Sequence, residues 1–147
     1  MTFDWPNLVV GAVLGVLGHW AFVHVREWSA RRKLKQRYAA LAGSYAQYEA
    51  NPEVPTGGTI DLSWIGSGSF KVKALHGNGT MDWEGVMHLQ PQLENTWTGS
   101  YWLPDRSGHG VKQMTYVPNT RSFSVLTTPT SWVGANPFIH HWKRIER

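Results

Sequence analysis

The chain contains no cysteine, so neither a disulfide framework nor a zinc–thiolate site is available to it. It has no glycine-rich phosphate loop, and no metal ligands recur at helical or hairpin spacing. His140 and His141 are adjacent in a predicted strand and point to opposite faces. His76, His88 and His109 are scattered, and Asp82 and Glu84 share a face opposite Trp83 that reads as solvated exterior. No nucleophile is set beside a base. These absences argue against an enzyme and against a resident metal or cofactor.

Charge is also missing where it matters most. From Leu8 to Val25 there are 18 residues without Asp, Glu, Lys or Arg. As a helix this run reaches about 27 Å, near the hydrocarbon thickness of a thin bilayer. Asp4 precedes it, and residues 26–37 follow with six basic side chains against the single Glu27. That order is reversed for a cleaved secretory signal. The positive-inside rule keeps the basic block cytoplasmic and the short N-terminus outside. Residues 1–37 are therefore expected to be a single transmembrane helix with a basic juxtamembrane segment in a bacterial inner membrane. Residues 38–147 are expected to form a cytoplasmic domain.

Gly11 and Gly15 lie one turn apart on that helix, with His19 continuing the stripe and Gly18 beside it. Small residues at this spacing let helix backbones approach in lipid, although glycine also suits a span that merely crosses. An assembling stripe of Gly11, Gly15, Gly18 and His19 implies a homo-oligomer. The rest of the chain is electrically neutral, with eight basic and eight acidic residues from Tyr38 onward. A DNA or RNA polymer is not the expected partner.

Good helix formers carry the first helix on to Gly43. The texture then changes to short apolar alternations between turn signals, which predicts eight strands near 41–48, 58–65, 69–76, 80–90, 95–103, 109–117, 120–127 and 137–145. The turns are Gly66-Ser67-Gly68, Gly77-Asn78-Gly79, Pro104 to Gly108, and Pro118-Asn119. The fold class is all-β: a compact eight-stranded antiparallel up-and-down barrel, with a sandwich as the other possibility. Predicted inward faces are Ile60, Leu62 and Trp64; Phe70, Val72 and Ala74; Met81, Trp83, Met87 and Leu89; and Trp97, Tyr101 and Leu103. Lys71 and Lys73 fall outside. Trp83-Glu84-Gly85, Trp97-Thr98-Gly99 and Trp132-Val133-Gly134 all read W-x-G, a large–small alternation suited to filling a barrel or, on the other reading, to stacking a ligand.

Two cations interrupt the inward faces. Lys112 is in phase with Met114 and Tyr116, and Arg121 with Phe123 and Val125. A hairpin at Pro118-Asn119 would put Arg121 across from Tyr116. One reading is a cation–π pair at the rim with Lys112 snorkelling outward. The other is a cationic, aromatic-lined mouth for an anionic ligand with flat rings, formed by Lys112, Tyr116 and Arg121 with Tyr45, Trp97 and Tyr101.

The strand pattern opened by Gly43-Ser44-Tyr45 and closed by Phe138-Ile139-His140-His141-Trp142-Lys143-Arg144 resembles a lipocalin-like barrel. In that superfamily a Gly-x-aromatic of the first strand packs near a basic residue from the end of the barrel. The resemblance implies that Tyr45 takes the aromatic place and that Lys143 or Arg144 is the basic cap. A membrane helix followed by a minimal barrel further resembles the membrane-anchored β-barrel effectors of bacterial CBASS antiphage systems. That resemblance implies a barrel that binds a cyclic dinucleotide, a second messenger acting as activating ligand, and a membrane part that assembles and disrupts the membrane. Those effectors generally carry two transmembrane helices where this chain has one, so clustering through Gly11 and Gly15 would replace an intramolecular pair. The competing expectations are a membrane-tethered carrier of an apolar small molecule and a ligand-free membrane scaffold.

Overall fold

The structure, a computed structural model, describes residues 5–50, 53–131 and 135–146, with side-chain surroundings from Gly11 onward. One long helix, α1 (Trp5–Tyr38), leads into a three-residue 3₁₀ turn, Ala39–Leu41. Pro6 sits in the first turn of α1, where its missing N–H costs no helical hydrogen bond. Val13, Leu14, Val16, Leu17, Trp20, Phe22 and Val25 are 52–70% exposed, so this stretch has no packing partner among the described residues. Among the described residues no helix is long and apolar enough to cross a membrane. The charge-free run begins at Leu8, and its first three side chains lie outside the described ones.

The last turns of α1 belong to the barrel. Leu34 and Tyr38 pack against the core, and Arg37 forms an ion pair with Glu94. The helix ends at Tyr38 rather than running on to Gly43, because the chain tightens: Ala42 N–H donates to Ala39 O at 3.1 Å.

Eight strands follow: β1 (Gly43–Glu49), β2 (Pro55–Gly66), β3 (Ser69–Leu75), β4 (Met81–Leu89), β5 (Thr96–Trp102), β6 (His109–Val117), β7 (Ser122–Pro129) and β8 (Phe138–Arg144). Each pairs antiparallel with the next, and β8 closes on β1, giving a closed barrel. Closure leaves no strand edge unpaired. The turns are where glycine and proline put them. Asn78 Oδ1 accepts from Thr80 N–H at 3.0 Å, and Gly79 takes φ +81° in the β3–β4 hairpin. Up-and-down order gives the barrel two ends. The helix end carries α1, residues 67–68, the 90–95 loop and the 118–121 turn. The distal end carries the connections 76–80 and 103–108.

Side chains fill the interior. Tyr45, Ile60, Phe70, Val72, Met87, Trp97, Met114, Phe123, Val125, Thr127 and Trp142 are inaccessible. The rings meet mostly edge to face, as in Phe70–Trp97 at 5.5 Å and Tyr45–Phe123 at 5.4 Å, the arrangement that ring quadrupoles favour. The glycines of two W-x-G triplets permit close strand approach. A Cβ on Gly99 would lie 1.8 Å from Val86 O, and one on Gly85 2.5 Å from Ser100 O. The third triplet, 132–134, lies outside the described residues.

One inward assignment fails. Met81 is 38% exposed, because the β3–β4 register shifts between Ala74 and Leu75 and throws Met81 out of phase with Trp83.

Candidate ligand site

The six barrel residues expected to share one mouth separate between the two ends and the core. At the distal end Lys112 points inward and is 3% exposed, which corrects the outward, snorkelling orientation. Its cross-strand neighbour on β5 is Gly99. Lys112 Nζ donates to Thr127 Oγ1 at 2.7 Å. It faces the rings of Trp83 at 4.2 Å, Tyr101 at 4.5 Å and Phe138 at 6.0 Å. Burial pushes the Lys112 ammonium down from its ordinary 10.5 to about 7, with Asp82 acting in the opposite direction. Burial, and then the Lys112 charge, lower the His140 imidazole to about 4. Trp142 Nε1, buried nearby with its ring 6.1 Å from that of Trp83, has no acceptor among the described residues.

The helix end presents an open cleft of about 980 Å³. The 3₁₀ turn Ala39–Leu41 and the start of β1 form one wall, the end of β8 another, and the β6–β7 turn the third. Arg121, Lys143 and Arg144 line it with Tyr45, Tyr116, Ser44 and Thr120, and Glu146 is the one acidic lining residue. Arg121 is not across from Tyr116. The turn Pro118–Thr120 ends with Arg121 in the left-handed region at φ 49°, so Val117 pairs with Ser122 and Tyr116 with Phe123. Arg121 is thus displaced from the strand alternation into solvent, where it borders the cleft. Lys143 is 2.9 Å from Glu53 and 4.9 Å from the Tyr48 ring centroid. Of the two candidates for the basic cap, Arg144 is the one beside Gly43 and opposite Tyr45. Tyr45 forms the buried floor; its hydroxyl donates to Leu41 O at 2.6 Å, and burial pushes its pKa up to about 12.

Tyr45, Tyr116 and Arg121 therefore come together at the helix end, while Tyr101 and Lys112 meet at the distal end. Trp97 lies toward the helix end but does not line the cleft. It is a core residue whose indole N–H donates to Gly68 O at 2.9 Å, with the Tyr38 ring against it at 5.1 Å. Gly11, Gly15, Gly18 and His19 lie on the exposed length of α1, and among the described residues nothing beyond the helix's own backbone and the adjoining residues lies within 4 Å of where a Cβ would stand on the three glycines. Sequence reasoning left Lys143 and Arg144 out of the ligand site. What brings them to it is barrel closure, which pairs β8 with β1 across 91 or more residues of chain.

Among the described residues no group of three or more His, Asp or Glu is placed to hold a metal ion. Comparison of the chain with protein-family models, curated proteins and solved structures finds no match. Two arginines, Arg121 and Arg144, with two hydroxyl side chains and the Tyr116 ring around an open volume suit an anion that also carries flat, stackable groups, while the Lys143 ammonium is held by Glu53. The volume falls within the range of small-molecule sites.

Proposed function

We propose that the chain is a membrane-anchored binding protein whose barrel takes an anionic, ring-bearing ligand of the cyclic oligonucleotide class in the helix-end cleft. The observation that carries this reading is the cleft itself, about 980 Å³ lined by Arg121, Lys143 and Arg144 with Tyr116. A ligand of that size has no comparable place in the barrel interior, where the inward side chains are closely packed. The same packing weighs against a carrier that stores an apolar molecule inside the barrel.

The anchor is α1. Its apolar run carries no charge from Leu8 to Val25, its described side chains find no partner on the barrel, and the basic block follows directly. Basic residues at that position hold a helix end against anionic headgroups. The reading as an antiphage effector adds one step: ligand-bound barrels assemble, and their helices cluster through the Gly11, Gly15, Gly18 and His19 stripe. Tethering in one membrane plane would convert a weak helix affinity into avidity.

A thermal-shift panel on the full chain in dodecyl maltoside tests the ligand class. Cyclic di- and trinucleotides at 100 times the dissociation constant should add about 2.7 kcal/mol of apparent stability, and fatty acids should add none. Stabilisation by fatty acids alone would favour the carrier. Flotation of the full chain with liposomes, and its loss on deleting residues 5–25, tests the anchor.

A further inference from the structure

The junction between α1 and the barrel is held by side chains that also form the cleft. Arg144 Nη1 donates to Ala40 O at 2.8 Å and Nη2 to Ala42 O at 3.2 Å. Between these two carbonyls, Leu41 O accepts from the Tyr45 hydroxyl. Three of the four carbonyls in the segment 39–42 that links helix to strand are therefore tied to barrel side chains, and the fourth, Ala39 O, accepts from Ala42 N–H. Gly43 makes the approach possible: it sits at φ +148°, and a Cβ there would stand 3.3 Å from Arg144 Nη2. A guanidinium carries five N–H donors in one plane. The two carbonyl bonds leave three, and Arg144 lines the cleft.

We propose that Arg144 is a shared clamp, binding a phosphodiester in the cleft with its free donors while the same planar group fixes the exit of α1 from the barrel. This rests on the cleft being the ligand site, as proposed above, and adds how occupancy reaches the helix. Each bond made by a rigid fork reduces the freedom of the group that makes the others. Ligand in the cleft thereby orders Ala39–Gly43 and sets the direction in which α1 leaves. Without ligand, Arg144 holds its part of the junction through two bonds at an exposed position, where local opening is easier than at the buried Tyr45–Leu41 bond. A soluble phosphodiester fits better than a lipid headgroup. From Arg26 to Tyr38 the helix rises about 20 Å, which sets the cleft well away from the end of the charge-free run.

Hydrogen exchange on the full chain in dodecyl maltoside tests the clamp, with cyclic di-AMP as the probe and equilibrium dialysis to measure its binding. In the wild type, saturating probe should slow exchange across residues 39–43 by tenfold or more. Arg121→Gln should weaken probe binding by about tenfold yet restore the same protection at saturation. Arg144→Lys keeps the charge but loses the fork; it should bind the probe more weakly and, once saturated, show no added protection over 39–43. Probe that binds the wild type and leaves 39–43 unchanged overturns the clamp alone, without needing any variant to fold. Equal protection in Arg144→Lys also overturns it. No binding to the wild type removes the proposed ligand class and the clamp together. Protection produced without probe by phosphatidylglycerol nanodiscs would assign the anion to lipid and overturn the soluble source.

Discussion

Replacing Lys112 by methionine should stabilise the barrel at pH 6 and remove a pH dependence. Lys112 is 3% exposed, and burial draws its folded-state pKa from 10.5 to about 7. At about 1.4 kcal/mol for each factor of ten, keeping it charged below pH 7 costs about 5 kcal/mol. The two nearest ring faces, Trp83 and Tyr101, return roughly 1–2 kcal/mol each. Methionine also leaves Thr127 Oγ1 without its donor, at roughly 1 kcal/mol. The balance is a gain of about 1 kcal/mol, or roughly 4 °C in Tm, in line with the exchange of other buried ions for apolar groups. The sign with pH follows from the depressed pKa. Between pH 7 and 10.5 the unfolded chain binds more protons at this residue than the folded one, so wild-type stability rises with pH over that window. Thermal unfolding of both proteins in dodecyl maltoside at pH 6, 7.5 and 9, followed by tryptophan fluorescence, measures this. Lys112→Met should be the more stable at pH 6 and should lose the rise toward pH 9. A variant less stable than wild type at pH 6, with the rise intact, would refute the reasoning.

Three further outcomes follow from particular positions. Gly99→Ala should cost at least about 3 kcal/mol or prevent folding, because its Cβ would stand 1.8 Å from Val86 O on the paired strand; circular dichroism melts check this. His140, with a folded pKa near 4 against an ordinary 6.5, makes the protein lose stability as pH falls from 6.5 to 4 and contributes no slope above 6.5. His140→Gln should flatten that acid limb, and Lys112→Met should raise the His140 pKa in an NMR titration. Gly11→Leu or Gly15→Leu should abolish helix association in a membrane two-hybrid assay and leave cyclic di-AMP affinity unchanged; unaltered association in both would remove the stripe from the assembly.

Much of the barrel was legible because its strands alternate cleanly. The run Phe70, Val72, Ala74 states its inward face by itself, and the Gly-Asn-Gly and Pro-Asn turns mark strand ends to within a few residues. The failures occur where local phase is broken by one residue. The irregularity beside Leu75 turns Met81 outward, and the 3₁₀ turn at Pro118–Thr120 takes Arg121 out of step with Phe123. Neither carries a signal that periodicity can detect. The candidate site was less legible still. Inward-facing tyrosines and cations could be identified strand by strand, but the end of the barrel each occupies depends on its distance along the strand. Lys112 and Tyr116 are four residues apart on β6 and serve opposite ends. Arg144 reaches Tyr45 only through the closure of β8 on β1.

Locating the ligand on the barrel tests the central claim most directly. Photocrosslinking of the full chain in dodecyl maltoside with an azido-substituted cyclic di-AMP, followed by peptide mapping, should place adducts in residues 116–121 and 143–146. Excess unlabelled cyclic di-AMP should suppress them, and Arg121→Gln should diminish them. Adducts confined to residues 81–83, 101 and 138 would instead put the ligand at the distal end beside Lys112, and would contradict the helix-end site.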